Sequence, residues 1–223
     1  MTDSSRDLDA IYRHRFSDED GVRRAGVWRE IVRFLGRWIP PSSAVIDIGC
    51  GEGAFIRNIT AAERWATDIR DVSAALDPGI RFVTIDGLEL ASAVPNAHFD
   101  VAFMSNYLEH LPSTDAVIAQ LREVHRVLRP GGRMIVLQPN IRFVGGAYWD
   151  FLDHKVALTE KSLAEAARAA GFDIERVISR FLPYSTKGRL PQHPLLVRAY
   201  LRVPLAWRVM GKQTLLVARA RPA

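Results

Sequence analysis

Residues 43–53 read SAVIDIGCGEG, an apolar run that stops at three glycines within five positions. A short branched apolar run bounded in this way suits a strand buried on both faces inside a parallel sheet. Glycines at the turn that leaves such a strand let a ligand reach the backbone, because no side chain stands in the way. The feature confines the chain to folds in which a parallel strand hands over to a ligand-binding turn. Gly49, Gly51 and Ala54 also satisfy the dinucleotide pattern G-x-G-x-x-[G/A], with Asp68 about 20 residues on, so an oxidoreductase is a rival on the glycines alone. Asp47 separates the two readings. A carboxylate at the strand end repels a pyrophosphate and attracts an ammonium or sulfonium group.

The rest of the chain repeats the alternation of strand and helix. Val27, Ile31, Phe34, Leu35 and Trp38 fall at helical spacing before Pro40, giving a helical cap over 1–41. Strand-like runs follow at 43–48, 65–69, 81–85, 99–105, 133–138, 172–181 and 213–220. Helices are expected over 53–60, 114–128 and 159–170. The pattern predicts an α/β domain over 42–223, a doubly wound sheet with helices on both faces and an insertion at 182–212. With 48% hydrophobic and 25% charged residues, the composition is that of a globular domain. The single cysteine excludes an internal disulfide framework and a multi-cysteine zinc site. The segment MTDSSRDLDA lacks the marks of a secretory signal, and no apolar run of about 18 residues occurs, so a cytoplasmic protein is expected.

Five motifs in order resemble those of class I S-adenosylmethionine-dependent methyltransferases of the type 11-like kind. They are Val45–Gly53, Arg64–Ile69, Val83–Leu88, Phe99–Asn106 and Leu128–Arg133. The resemblance implies a Rossmann-like, three-layer αβα sandwich with seven strands, the last antiparallel. It implies S-adenosylmethionine as cofactor, with Asp47, Gly49, Cys50 and Gly51 around the methionine part. Asp68 would take the ribose and Ile69 one adenine face. Asp86, Gly87 and Leu88 would hold the adenine edge, and Asn106 would touch cofactor or acceptor. The short stretch from Asp68 to Ile80 implies a reduced helix after the second strand.

The acceptor side falls in the loop after the fifth strand, 139–155, since ligands bind at the carboxyl ends of parallel strands. Tyr148, Trp149 and Asp150, together with Tyr107, form the expected acceptor contacts. His154, beside Asp150 or Asp153, is a candidate base for an acceptor hydroxyl, with a helix anchor as the bland alternative. His110 is the second candidate base. No metal is expected, because two carboxylates and an imidazole at loop spacing are common by chance. The resulting expectation is methyl transfer, at oxygen, to a small or lipid-linked acceptor, with a resemblance to uncharacterised bacterial enzymes linked to surface-glycan pathways. A non-catalytic cofactor-binding module is the alternative from another class.

Charge is unevenly placed. Residues 176–223 hold ten of the 30 Lys+Arg and none of the 25 Asp+Glu, a net +10 against −5 in the remainder. If 195–203 is helical, Leu196, Tyr200 and Val203 share one face, Arg198 and Arg202 lie opposite, and Trp207 extends the stripe. Such a segment over 183–212 suits peripheral contact with an anionic membrane. An insertion packed on its own core, or a homodimer contact, is the alternative. Nucleic acid is not expected, because the aromatics are too few for a stacking platform.

Overall fold

The computed structural model describes residues 21–184 and 193–222. Strand β1 (Ala44–Ile48) is buried along its whole length, as its unbroken apolar run requires. Around it lie β2 (Glu63–Asp68), β3 (Arg81–Thr84), β4 (Phe99–Ser105), β5 (Leu128–Pro139), β6 (Phe172–Leu182) and β7 (Gln213–Ala220), in the order β3-β2-β1-β4-β5-β7-β6. The first five pair in parallel, and β7 runs antiparallel to both β5 and β6. This is the expected Rossmann-like sheet.

Alternate residues of β1 feed two separate cores. Ala44, Ile46 and Ile48 pack with Val117, Leu121 and Val124 of helix α3 (Thr114–Val127) and Leu163 of α5 (Glu160–Ala169). Val45 faces the other layer, with Ile31, Val32 and Leu35 of α1 (Gly21–Leu35). Local signals start the helices where the chain needs them. Ser113 Oγ accepts the Ala116 amide, and Thr159 and Ser162 form a reciprocal cap. Two further helices between the strands are short: α2 (Leu90–Ala93) and α4 (Ile141–Val144).

Two local expectations change and a third holds. Residues 51–58 form successive turns, not the helix expected over 53–60. Gly49, Gly51 and Gly53 have φ of 67°, 54° and 74°, and left-handed residues cannot open a right-handed helix. Phe55 instead stacks on Phe103 with ring centroids 3.7 Å apart. The Arg129–Gly132 turn is the bulged start of β5, whose register against β4 shifts between Phe99 and Val101. After β2 only a single 3₁₀ turn, Ser73–Ala75, remains of the reduced helix.

The insertion folds as α6 (Pro194–Leu201) and α7 (Pro204–Met210), while residues 185–192 of the expected segment lie outside the described residues. Pro204 begins a new helix instead of bending one, so the expected stripe divides. Leu196 and Val203 are exposed, whereas Trp207 is buried and Tyr200 turns inward. Trp207 meets Phe34 and Phe181 edge-on at 5.6 and 5.5 Å and donates to the Tyr200 carbonyl at 2.9 Å. Tyr200 in turn donates to the Phe181 carbonyl at 2.7 Å. Arg198, expected opposite the apolar face, pairs with Glu30 of α1 at 3.1 Å. Trp207→Ala should lower unfolding free energy by about 3 kcal/mol, as large-to-small changes at packed aromatics do. Urea denaturation that leaves the midpoint unchanged would contradict this packing.

Candidate functional site

The carboxyl ends of β1 to β5 gather the candidate residues on one edge of the sheet. At the end of β1, the Gly49 and Cys50 amides both donate to the Thr67 carbonyl, at 2.9 and 3.0 Å, fastening the turn to β2. The Gly51 amide donates to Asp68 Oδ2 at 2.9 Å. Asp68 Oδ1 accepts from the Arg70 amide at 3.0 Å and from its Nε at 3.3 Å. Asp86 accepts from the Leu88 amide at 3.0 Å and caps the short 3₁₀ turn Gly87–Glu89. Ile69 is half exposed, just beyond the end of β2. Asn106 is exposed with φ of 48°, a left-handed residue that ends β4 abruptly.

Asp47 is 3% exposed. Burial first, and the nearby Asp68 carboxylate as well, push its carboxyl up to about 8, while the Ile56 amide works against this. Burial together with Asp47 and Asp68 also raises the Cys50 thiol, so this cysteine is not a ready nucleophile. A Cβ on Gly51 would meet no atom within 4 Å, so the turn presents bare backbone to open space. Two acids beside an open glycine turn suit a ligand that carries a cation at one end and hydroxyls at the other. The residues present therefore fit S-adenosylmethionine. Tyr107 has a place not foreseen: its ring lies where a Cβ of Gly49 would stand, and its hydroxyl lies over Gly87. That hydroxyl donates to Gln120 Oε1 at 2.8 Å.

The acceptor loop is organised around Glu109, which the sequence reading missed. This residue is 1% exposed, and burial first, then Asp153, raise its carboxyl while His110 lowers it. Gln138 Nε2 donates to its Oε2 at 3.0 Å. Its backbone carbonyl receives the amides of Lys155 and Val156 at 2.8 and 3.1 Å, clamping the loop to the end of β4. Asp153 Oδ2 lies 3.3 Å from His110 Nδ1, and the Asp153 carbonyl lies 3.1 Å from the same atom. The carboxylate expected beside His154 thus also reaches His110, the second candidate base. His154 is buried, its ring 4.8 Å from Tyr148, 5.0 Å from Phe151 and 5.1 Å from His110.

Tyr148, expected as a contact for the acceptor, is fully buried and donates to the Val156 carbonyl. It is a pillar of the loop. Trp149 and Asp150 remain exposed. Ligand atoms of Glu109, His110 and His154 lie within 4.8 Å of one another, a set that could span a divalent cation and differs from the Asp150, Asp153 and His154 set weighed from sequence. The pattern Leu108-Glu109-His110 carried the one available signal for Glu109, an acid among residues otherwise suited to the core.

A family model described as a methyltransferase domain matches residues 21–177. The chain belongs to this methyltransferase family, and S-adenosylmethionine is the cofactor that the membership implies. Over 136 residues it is 37% identical to 27-O-demethylrifamycin SV methyltransferase of Amycolatopsis mediterranei, covering 54% of this chain and 48% of the relative. Over 126 residues it is 32% identical to a ubiquinone/menaquinone biosynthesis C-methyltransferase of Bordetella avium, covering 50% and 46%. The chain thus spans about half the length of the curated relatives it matches. Among solved structures, an S-adenosylmethionine-dependent methyltransferase from Mesorhizobium loti superposes with a TM-score of 0.60 at 22% identity, over 83% of this chain and 95% of that one. The [4+2]-cyclase SpnF does so with a TM-score of 0.60 at 20% identity, over 87% and 81%.

The raised Asp47 carboxyl makes the stability of the ligand-free protein depend on pH. The folded state keeps a proton up to about pH 8 that the unfolded chain releases near pH 4. Stability should therefore fall as pH rises through this window. Asp47→Asn should flatten this pH dependence, and equal unfolding free energies of the unmutated protein at pH 6 and 8 in denaturant titrations would remove the assignment.

Proposed function

We propose that this chain methylates an oxygen of a small or lipid-linked acceptor. The observation that carries the reading is the pairing of His110 Nδ1 with Asp153 at 3.3 Å, on the same edge as the glycine turn. The bound cofactor supplies a methyl group on a positively charged sulfur, already a good leaving group. The protein's task is then to position two reactants and remove a proton.

Asp47 and the amides of the glycine turn hold the amino-acid end of the cofactor, and Asp68 holds the ribose hydroxyls. Asp86, Gly87 and Leu88 hold the adenine edge. On the acceptor side, Asp153 fixes the proton of His110 on Nδ1 and leaves the Nε2 lone pair to accept the acceptor's hydroxyl proton. Asp153 and the buried Glu109, whose Oε1 is 4.0 Å from Nε2, flank the two nitrogens of the ring. Asp153 is in this account a positioning residue. Trp149 and Asp150 rim the acceptor's entry. The name of the rifamycin relative supports oxygen as the methylated atom, and the quinone-pathway relatives support an apolar acceptor.

A second reading follows from the closeness of Glu109, His110 and His154, in which His110 ligates a divalent cation and the cation acidifies the hydroxyl. Elemental analysis of the purified protein separates the two. Stoichiometric metal, lost in Glu109→Gln, favours the cation; metal-free protein with full turnover favours the base.

Incubation with radiolabelled methyl donor and fractionated cell extract should label an acceptor in the lipid or small-molecule fraction. No label in any fraction, with cofactor bound, would favour the non-catalytic module. His110→Gln should cut turnover by about a hundredfold or more, the scale of general base catalysis, with S-adenosylhomocysteine affinity kept. Normal turnover would dismiss the base. Asp68→Ala should weaken S-adenosylhomocysteine binding by about 2 kcal/mol, since charge-assisted hydrogen bonds are lost and the Gly51 amide loses its partner. Unchanged affinity in calorimetry would move the ribose elsewhere.

A further inference from the structure

From the outer side of α6 and α7 we infer a docking face for an anionic lipid surface, completed by α1 from the other end of the chain. Between residues 195 and 212 every exposed residue is apolar or cationic. Leu195, Leu205 and Val209 are 62%, 68% and 76% exposed, beside Arg202, Arg208 and Lys212. Eight large apolar side chains are exposed among the described residues, and five of them lie in this short segment. Single exposed leucines are ordinary, but a cluster with no neutral polar residue among it marks a contact surface.

The adjoining helix has the same character. Beyond residue 25, the exposed side chains of α1 and the turn after it are Arg29, Arg33 and Arg37. The acid of α1, Glu30, is buried and already answered by Arg33 at 2.9 Å and Arg198 at 3.1 Å. The helices are packed closely enough that a Cβ on Gly26 would lie 2.6 Å from Pro194. The result is one continuous face, cationic and apolar, with no exposed acid between 25 and 37 or between 195 and 212.

This composition selects its occupant. Anionic headgroups satisfy the arginines, and the leucines and valines bury into the acyl boundary beneath them. Nucleic acid would take the charges but leave Leu205 and Val209 in water. A second copy meeting this face about a two-fold axis would set cation against cation. The segment also leaves and re-enters the sheet at the acceptor edge, where the Lys212 amide donates to the Leu182 carbonyl at 2.7 Å. There Tyr184 meets Phe151 of the acceptor loop at 6.1 Å, next to Leu152, which is 89% exposed. Docking therefore brings the acceptor loop toward the lipid. On the methyl-transfer reading above, on which this last step rests, it narrows the acceptor to a lipid or lipid-linked molecule.

Flotation of the full chain with phosphatidylcholine vesicles, with and without phosphatidylglycerol, tests the face. Binding should require phosphatidylglycerol and weaken with salt, since exposed charges are screened over about 8 Å at physiological ionic strength. Leu205→Glu with Val209→Glu, and separately Arg202→Glu with Arg208→Glu, should each reduce partitioning about tenfold or more. S-adenosylhomocysteine affinity, unchanged in both variants, reports that they fold. Absence of flotation on phosphatidylglycerol, or flotation indifferent to both pairs, overturns the proposal. So does a stable dimer in sedimentation equilibrium that Leu205→Glu dissociates. Flotation by a protein that fails to bind S-adenosylhomocysteine would sink the methyl-transfer reading and leave the docking face standing.

Discussion

Two buried carboxylates without a full complement of cations set the terms for the rest of this structure. Asp47 and Asp68 lie at the ends of neighbouring strands, 3% and 7% exposed, and burial together with Asp68 raises the cost of charging Asp47. A fold keeps such a pair only where the surrounding backbone can answer it. Here the Gly51 amide and Arg70 answer Asp68, and Asp47 is left to hold a proton near neutrality. The left-handed glycines follow from the same need, because only residues free to take positive φ can turn an amide back onto the Asp68 carboxylate within three residues of the strand end. The arrangement is electrostatically unfinished, and a cationic ligand completes it.

Much of the framework was legible because it rests on short-range rules. The buried run of β1, the Ser113 and Thr159 caps and the glycines at strand ends each announce themselves within a few residues. What could not be read depends on the direction of a side chain in three dimensions. The approach of Asp153 to His110 depends on a loop that the Lys155 amide ties to the Glu109 carbonyl, a contact across 46 residues of chain. Tyr148 reads as a binding aromatic until its hydroxyl is placed on the Val156 carbonyl. The helix expected after the glycine turn fails for a local reason that could have been weighed, since three left-handed residues in a row of five exclude a regular start.

The same sheet accommodates different chemistries, as the likeness to both a methyltransferase and a cyclase makes plain. The β1 turn is therefore the wrong place to look for what distinguishes this chain. The distinguishing parts lie after β4 and β5 and between β6 and β7, where Glu109, Asp153 and the two insertion helices sit. Among the described residues no helix is long and apolar enough to cross a membrane.

The insertion also explains an otherwise puzzling burial. Glu30 sits on a helix rich in arginine, yet it is enclosed, because Arg198 reaches it from α6 while Arg33 reaches it along α1. An acid on the outer face of α1 would cancel the local positive field; drawn inward, it instead anchors one basic helix to another. Trp207 and Tyr200 act in the same direction, Trp207 spending its ring on Phe34 and Phe181 and Tyr200 its hydroxyl on the Phe181 carbonyl, and leave aliphatic residues outside. Rigid rings hold the element down, and leucine and valine face outward where a fluid partner can adapt to them. A surface built to meet another folded protein would more naturally expose the rings, since aromatic anchors give contact area at low entropic cost. The inversion seen here suits a partner with no fixed shape.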